Sequence, residues 1–232
     1  MIRDHLTFDI VKQRFVGLLN EENSPRSHMI TAVFLLASQK HTDISLRAIL
    51  KIAGYAASKF YKYWPGRSSF ILDAYLYCVE KYIDAEVSFA HEFSGSEPRQ
   101  FFELIGQHTM LSQKYIHRDF FREIAGQMAG GEYSRLLVHM ESQIKRNLDV
   151  FIEKFPQYSD RVNVMAGQSM VWTVGTYILI RNYDDGLRLI TDEQMVDLIV
   201  EAYARCIDGG IQMHGSACTD VPQTRLSGSL KR

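Results

Sequence analysis

Apolar positions recur at helical spacing along almost the whole chain, and no stretch shows strand alternation bounded by hairpin turns. Leu6, Ile10, Val11, Phe15 and Leu18 predict a short amphipathic helix ahead of the loop Asn20–Pro25. Ser24 followed by Pro25 is a cap and then a proline at the first helical position, so a second helix opens there, with Met29, Ala32, Val33 and Leu36 on its apolar face. A third helix is expected from the Ser45 cap through Leu46, Ile49 and Leu50, ended by Gly54. A fourth, short one occupies about Ala56–Tyr63 before Pro65-Gly66 breaks the chain. Longer helices are then predicted over Phe70–Phe93, Arg99–His117, Asp119–Gly130, Glu132–Phe155, Ser159–Tyr183 and Thr191–Met213. The last begins with a capping box, Thr191 with Gln194 three residues on. The fold class is therefore expected to be all-α, with a tail from His214 rich in Gly, Ser, Thr and Pro and expected to be disordered.

Charge changes the picture only when it is split along the chain. The 232 residues carry a net charge of -1, but residues 1–68 hold ten Lys/Arg against five Asp/Glu, or +5, and the remainder holds 16 against 22, or -6. A basic head on an acidic body suits a protein one end of which approaches a polyanion. Solvated helix faces are also commonly basic, so the asymmetry alone decides little.

Several classes are set aside. Three cysteines, Cys78, Cys206 and Cys218, have no close spacing, which argues against a disulfide scaffold and fits a reducing cytoplasm. The start, MIRDHLTFDIVKQR, has no apolar signal-peptide core. The longest apolar run, Met170 to Ile180, is well short of the roughly 20 residues of a membrane span, so no membrane partner is expected. His117-Arg118-Asp119 mimics a kinase catalytic-loop fragment without the accompanying Asn or glycine-rich loop, and there is no phosphate loop or nucleophile elbow. The eight histidines lack metal spacing, and His214 with Cys218 would make half a site. No catalytic residue, metal or cofactor is expected.

The three helices from Pro25 to Tyr63, the last two short and joined by a Gly-containing turn, suggest a helix-turn-helix. The stretch from Ile44 to Arg67, ISLRAILKIAGYAASKFYKYWPGR, resembles the signature of the tetracycline-repressor (TetR) family of regulators. In that resemblance Ser45 stands at the cap, Ile49 at the isoleucine of "IA", Ala53-Gly54 at "AG", Phe60-Tyr61 at "LY", Tyr63-Trp64 at "YF", and Arg67 at the basic residue opening the next helix. Departures occur at Lys40, Leu50, Tyr55, Ser58 and Lys59. Leu50 and Tyr55 alter packing between the short helices, and Ser58 and Lys59 alter which base edges are read. The resemblance spans residues 26–72 and implies a division into an N-terminal extension helix (1–24), a DNA-binding domain (25–68), a ligand-binding and dimerisation domain (69–213) and the tail (214–232).

The candidate DNA-binding residues are Ser45, Arg47, Ser58, Lys59, Tyr61, Lys62, Tyr63 and Arg67. Lys59 and Arg47 carry donors suited to guanine O6 and N7 in the major groove. Ser45, Tyr61, Lys62, Tyr63 and Arg67 read as phosphate contacts, which set register rather than sequence. Tyr61 or Tyr63 packing on the small core, and Lys62 simply solvated, are the alternatives. Phe60 and Trp64 are assigned to that core. Lys12 and Arg14 of the first helix either extend the DNA contact or belong to a helix that covers the body, and its apolar face favours covering.

For the second half the resemblance implies a ligand cavity and a two-fold dimer built by the last two helices. Met165, Met170, Trp172, Val174, Ile178 and Leu179, with Met195, Leu198, Ile199, Ala202 and Ile207, would make such a seam. Phe102, Tyr115, Phe121, Met128, Met140 and Trp172 are candidate pocket residues, with plain core packing as the alternative, and a lining of that kind would suit a mostly apolar small molecule. His108 and His117 would add polar contacts or pH sensitivity, although surface or capping roles suit them better. The expected function is a bacterial homodimeric repressor released from double-stranded operator DNA by a small-molecule effector. The competing expectation is a TetR-like dimer that has lost operator binding and serves as a small-molecule or protein-binding module.

Overall fold

Thr7 opens the first helix by accepting a hydrogen bond from the backbone N–H of Ile10 at 3.4 Å, and α1 runs Phe8–Asn20. The computed structural model describes residues 6–38, 44–113, 133–183 and 190–209. Ser24 then starts α2 (Pro25–Ser38) with a reciprocal cap: Ser27 N–H donates to Ser24 Oγ at 3.1 Å, and Ser24 N–H donates to Ser27 Oγ at 3.0 Å. Ser45 caps α3 (Leu46–Ala53) by accepting from Ala48 N–H at 3.2 Å, and Gly54 ends it with φ of 75°, a left-handed conformation that costs glycine little.

The next element is shorter than expected. The helix α4 covers only Ala57–Phe60, and turns complete Tyr61–Tyr63 through bonds such as Tyr63 N–H to Phe60 O at 2.9 Å. Ala56 has no side-chain oxygen to cap the start of this helix, and at the other end Pro65 disfavours helical backbone at Trp64. After Pro65-Gly66 come α5 (Arg67–His91), α6 (Pro98–Gln113), α7 (Tyr133–Lys154), a 3₁₀ segment Pro156–Arg161, α8 (Val164–Tyr183) and α9 (Asp192–Ala204). The architecture is all-α, and among the described residues the only extended pairing is an isolated antiparallel bridge between Val162 and Ile207.

That bridge explains two corrected boundaries. A single helix over Ser159–Tyr183 is not formed, because Val162 is extended and the flanking backbone pairs with the end of α9: Asn163 N–H donates to Cys206 O at 2.7 Å and Asp208 N–H to Arg161 O at 2.6 Å. The last helix stops at Ala204 rather than continuing to Met213, and Gly209 adopts a left-handed φ of 76° that no helix continues through. Its start is as expected, with both halves of the Thr191/Gln194 capping box present. The expected helix over Asp119–Gly130 and the tail from His214 lie outside the described residues.

Buried side chains form two clusters joined by α5. The first gathers Val11, Phe15 and Leu19 of α1, Met29, Ile30 and Val33 of α2, Ile49, Phe60, Trp64, and Phe70 to Tyr77 of α5. The second gathers Ala90 and Phe93, Phe101, Phe102 and Ile105 of α6, Ile144, Leu148 and Phe151 of α7, and Met195, Ile199 and Tyr203 of α9. Helices α8 and α9 meet closely at Gly167, where a Cβ would fall on Cys206 Sγ and within 2.8 Å of Ala202 O. Among the described residues no helix is long and apolar enough to cross a membrane.

Candidate nucleic-acid interface and buried polar centre

No acidic residue stands between Asp43 and Asp73, whereas Arg47, Lys51, Lys59, Lys62 and Arg67 all do. The fold carries these cations on α3, α4 and the start of α5. Arg47, Ser58, Lys62 and Arg67 are exposed, and Ser45 and Lys59 are half-buried. Tyr61 and Tyr63 are 59% and 42% exposed, so neither ring is buried in the small core. Phe60 and Trp64, at 0% and 4%, are the rings that are: Phe60 lies 5.2 Å from both Trp64 and Phe70, and Trp64 lies 4.6 Å from Phe70. The spacing Phe60–Trp64 therefore anchors one side of the turn and leaves Tyr61, Lys62 and Tyr63 on the other.

Ser45 Oγ accepts from Ala48 N–H within its own helix start. Arg67 Nη2 donates to Ile44 O at 3.4 Å, tying the start of α5 to the entry of α3. Tyr55, one of the departures from the family signature, is also tied down: its hydroxyl lies 2.8 Å from His28 Nδ1, and the two rings stack at 6.0 Å.

A polar node that sequence reasoning missed orients this unit. Asp73 accepts from Arg26 Nε at 3.0 Å and Arg26 Nη2 at 2.8 Å, and Trp64 Nε1–H donates to Asp73 Oδ2 at 2.9 Å. One carboxylate thus joins α2, the end of the α4 turn and α5. The hydrogen bond to Asp73, against some desolvation, raises the Arg26 guanidinium further above its ordinary range, so Arg26 is a structural cation and not a free one. Arg14 is likewise committed: it bonds Glu92 Oε1 at 2.8 Å and Ser88 Oγ at 3.0 Å, and its guanidinium sits 3.8 Å from the Phe89 ring centre. Lys12 lies 5.9 Å from the Phe8 ring centre. The first helix covers the body, with Val11, Phe15 and Leu19 buried beneath it.

The candidate pocket residues fare differently. Phe102 is a core residue, stacked at 4.8 Å on Phe151 and at 5.1 Å on Tyr203. Trp172 is half-buried against the second cluster, and its Nε1 is buried with no hydrogen-bond partner among the described residues. Tyr115, Phe121 and Met128 lie outside the described residues, as do the Met140 side chain and His117. Of the expected seam on α9, Met195, Ile199 and Ala202, together with Ile207 beyond it, are buried in this chain's own core, leaving Leu198 at 37% exposed. On α8, Met165 is 76% exposed while Val174 is buried.

His108, given a surface or capping role above, is buried instead. It belongs to a polar centre built on Glu86 of α5. Tyr82 OH and Thr109 Oγ1 donate to Glu86 Oε2 at 2.8 and 3.0 Å, and His108 Nδ1 lies 3.2 Å from the same oxygen. Gln143 Nε2 and Asn147 Nδ2 donate to Oε1 at 2.7 and 2.6 Å. Burial alone would push the carboxyl up. The His108 hydrogen bond and charge, with the amide donors, outweigh it and hold the carboxyl below the usual carboxylate range. Desolvation first, then the charge of Glu86, raises Tyr82 and Tyr203 well above the ordinary phenol value, so both stay hydroxyls. The available signal was Glu86 itself, a carboxylate at helical spacing between Ile83 and Ala90 on the apolar face of α5. Among the described residues no group of three or more His, Cys, Asp or Glu could hold a metal ion.

The described geometry is that of an all-α fold in which a short helix pair, joined through a left-handed glycine, is mounted on a larger helical body. No family model and no curated protein matches this chain. Among solved structures it is similar to a crystal structure described as "Putative TetR-family transcriptional regulator from Syntrophomonas wolfei str. Goettingen", with 17% identity, a TM-score of 0.50, and coverage of 79% of this chain and 94% of that one. At that identity the likeness establishes a TetR-like fold.

Proposed function

We propose that this chain is a sequence-specific, DNA-binding regulator of transcription acting as a homodimer. The observation that carries the reading is the α3–α4 unit: Phe60 and Trp64 are buried under it, while Arg47, Lys62, Tyr61, Tyr63 and Arg67 are exposed on a stretch without a single carboxylate. In this reading Lys59 and Arg47 donate to guanine edges, Ser58 beside Lys59 shapes which edges are read, and Ser45, Tyr61, Lys62, Tyr63 and Arg67 hold the backbone. Two copies paired through α8 and the exposed side of α9 would present two such units to a palindromic site. Release of the DNA by a small molecule bound in the body makes the regulator a repressor.

A second reading, a dimeric binding module without operator affinity, is favoured by the brevity of α4, a single helical turn lacking a side-chain cap. A salt titration of duplex binding separates the two. A DNA reader loses affinity linearly in log salt, by about 0.9 per phosphate contact, and Lys62→Ala lowers affinity alike for all sequences and flattens the slope by about 1 per protomer bound. An unchanged slope in Lys62→Ala removes that contact, and no salt-dependent binding at all leaves the second reading.

A further inference from the structure

The short helix α4 is anchored at both ends, and only one anchor is apolar. Phe60 and Trp64 are buried at its C-terminal end. At its N-terminal end the chain passes through Gly54, whose left-handed φ of 75° suits the residue with the widest conformational freedom, and Ala56 supplies no side-chain cap. Between these two stands Tyr55, half-buried against the first cluster. Its hydroxyl lies 2.8 Å from Nδ1 of His28 on α2, and the two rings stack with centres 6.0 Å apart and planes 16° from parallel. The other ring nitrogen of His28, Nε2, lies 3.1 Å from Asn23 Oδ1 in the loop before α2. A carboxamide oxygen only accepts, so Nε2–H donates there and Nδ1 is left to pair with the Tyr55 hydroxyl. Asn23 is itself fixed, with its N–H donating to Asn20 O at 3.1 Å and a φ of 45°, a left-handed conformation that Asn adopts more readily than most side chains. Three side chains thus link the α1–α2 loop, the first turn of α2 and the entry to α4.

We propose that Tyr55 and His28 are positioning residues for sequence readout: their contact fixes the angle at which α4 leaves Gly54, and with it where Ser58 and Lys59 meet base edges. This role rests on the DNA-reading function above, and neither side chain needs to touch DNA. Lys59 lies four residues after Tyr55 and one before Phe60, between the two anchors. With the Tyr55 end released, Gly54 becomes a pivot and α4 is held by Phe60 and Trp64 alone. The phosphate contacts are less affected, because Lys62 stands between Phe60 and Trp64, and Arg67 opens α5. A loosely held reading element must be ordered as it docks. That lowers affinity for a matching site while leaving charge-driven binding to any duplex intact. Tyr55 is also a point at which the chain departs from the TetR signature, so this contact is not one that the resemblance supplies.

The test compares two duplexes at pH 8: one enriched by the full-length chain from a random pool, and a scrambled duplex of the same composition. Tyr55→Phe removes the hydroxyl and keeps the stacked ring. It is expected to weaken binding to the enriched duplex about three- to tenfold, with affinity for the scrambled duplex and the salt slope unchanged. His28→Ala is expected to lose at least as much, and the double variant no more than His28→Ala alone, since both changes remove one contact. Should His28→Ala fail to melt cooperatively, Tyr55→Phe carries the comparison. A contact that only adds stability would lower Tm and leave the ratio between the two duplexes as in the wild type. An unchanged ratio in Tyr55→Phe, equal losses on both duplexes, or additive losses in the double variant would each overturn the positioning role. A folded wild type that enriches no duplex overturns the DNA-reading function and this role with it, whereas discrimination that survives Tyr55→Phe intact overturns this role alone.

Discussion

Asp73 and Glu86 are both carboxylates on α5, thirteen residues apart, and each gathers donors from several elements into one place. Asp73 joins Arg26, Trp64 and its own helix. Asp73→Asn keeps the shape but loses the charge and half of the bidentate pair. It is expected to cost about 1–2 kcal/mol, read as a Tm lowered by several degrees. It should also weaken duplex binding beyond that of an equally destabilised core variant, since Trp64 closes the α4 turn. Unchanged duplex affinity in folded Asp73→Asn would show that the node only adds stability. For Glu86 the sign follows from a folded-state value below that of the unfolded chain. Its contribution is complete above the ordinary carboxylate range near 4.3 and is lost as pH falls through the folded value. The wild type should therefore lose stability relative to Glu86→Gln on acidification below about pH 4. Parallel stability curves for the two would contradict a depressed Glu86. Which rings of this unit are buried was legible because Phe60 and Trp64, four apart, could be told from Tyr61 and Tyr63 by helical spacing. Asp73 and Glu86 were not, because, apart from Tyr82 four residues before Glu86, their partners are 9 to 61 residues away and spacing along one helix says nothing about them.

Among the elements, α1 shows how an apolar stripe decides a role that charge leaves open. Its Lys12 and Arg14 are basic, yet Arg14 is spent on Glu92, Ser88 and Phe89, and Val11, Phe15 and Leu19 are buried. Phe15→Ala is expected to cost about 3–5 kcal/mol in denaturant unfolding, as for other buried phenylalanines. Arg14→Ala, half of a partly exposed pair, should cost less than about 1 kcal/mol and leave the salt slope of duplex binding unchanged. A flatter slope in Arg14→Ala would return this helix to the DNA contact. Helix starts marked by Thr or Ser were legible: Ser24, Ser45 and Thr191 all cap as their types predict. Helix ends were less so. The α8–α9 boundaries depend on a tertiary bridge between Val162 and Ile207, and α4 gives way after Phe60 to i→i+3 turns ahead of Pro65, which disfavours helical backbone at Trp64.

At the scale of the molecule, α5 contributes buried side chains to both cores, so a shift at its Glu86 end has a rigid path to the Asp73 end that holds Trp64. That is the mechanical basis on which ligand state and DNA geometry would be coupled. The all-α class followed from helical periodicity alone, but the arrangement of the body did not. The apolar face of α9 was read as a dimer seam, whereas packing on α6 consumes Met195, Ile199 and Ala202 within one chain. Periodicity reports that a face is buried and is silent on what buries it. The most direct measurement is selection of bound duplexes from a random pool by the full-length chain at moderate salt. A dimeric reader enriches a palindromic motif whose half-sites are about 10–10.5 bp, or a multiple of that, apart, and Lys59→Ala relaxes the preference at one position of each half. A folded chain that enriches no motif over the input pool would contradict the DNA-reading function.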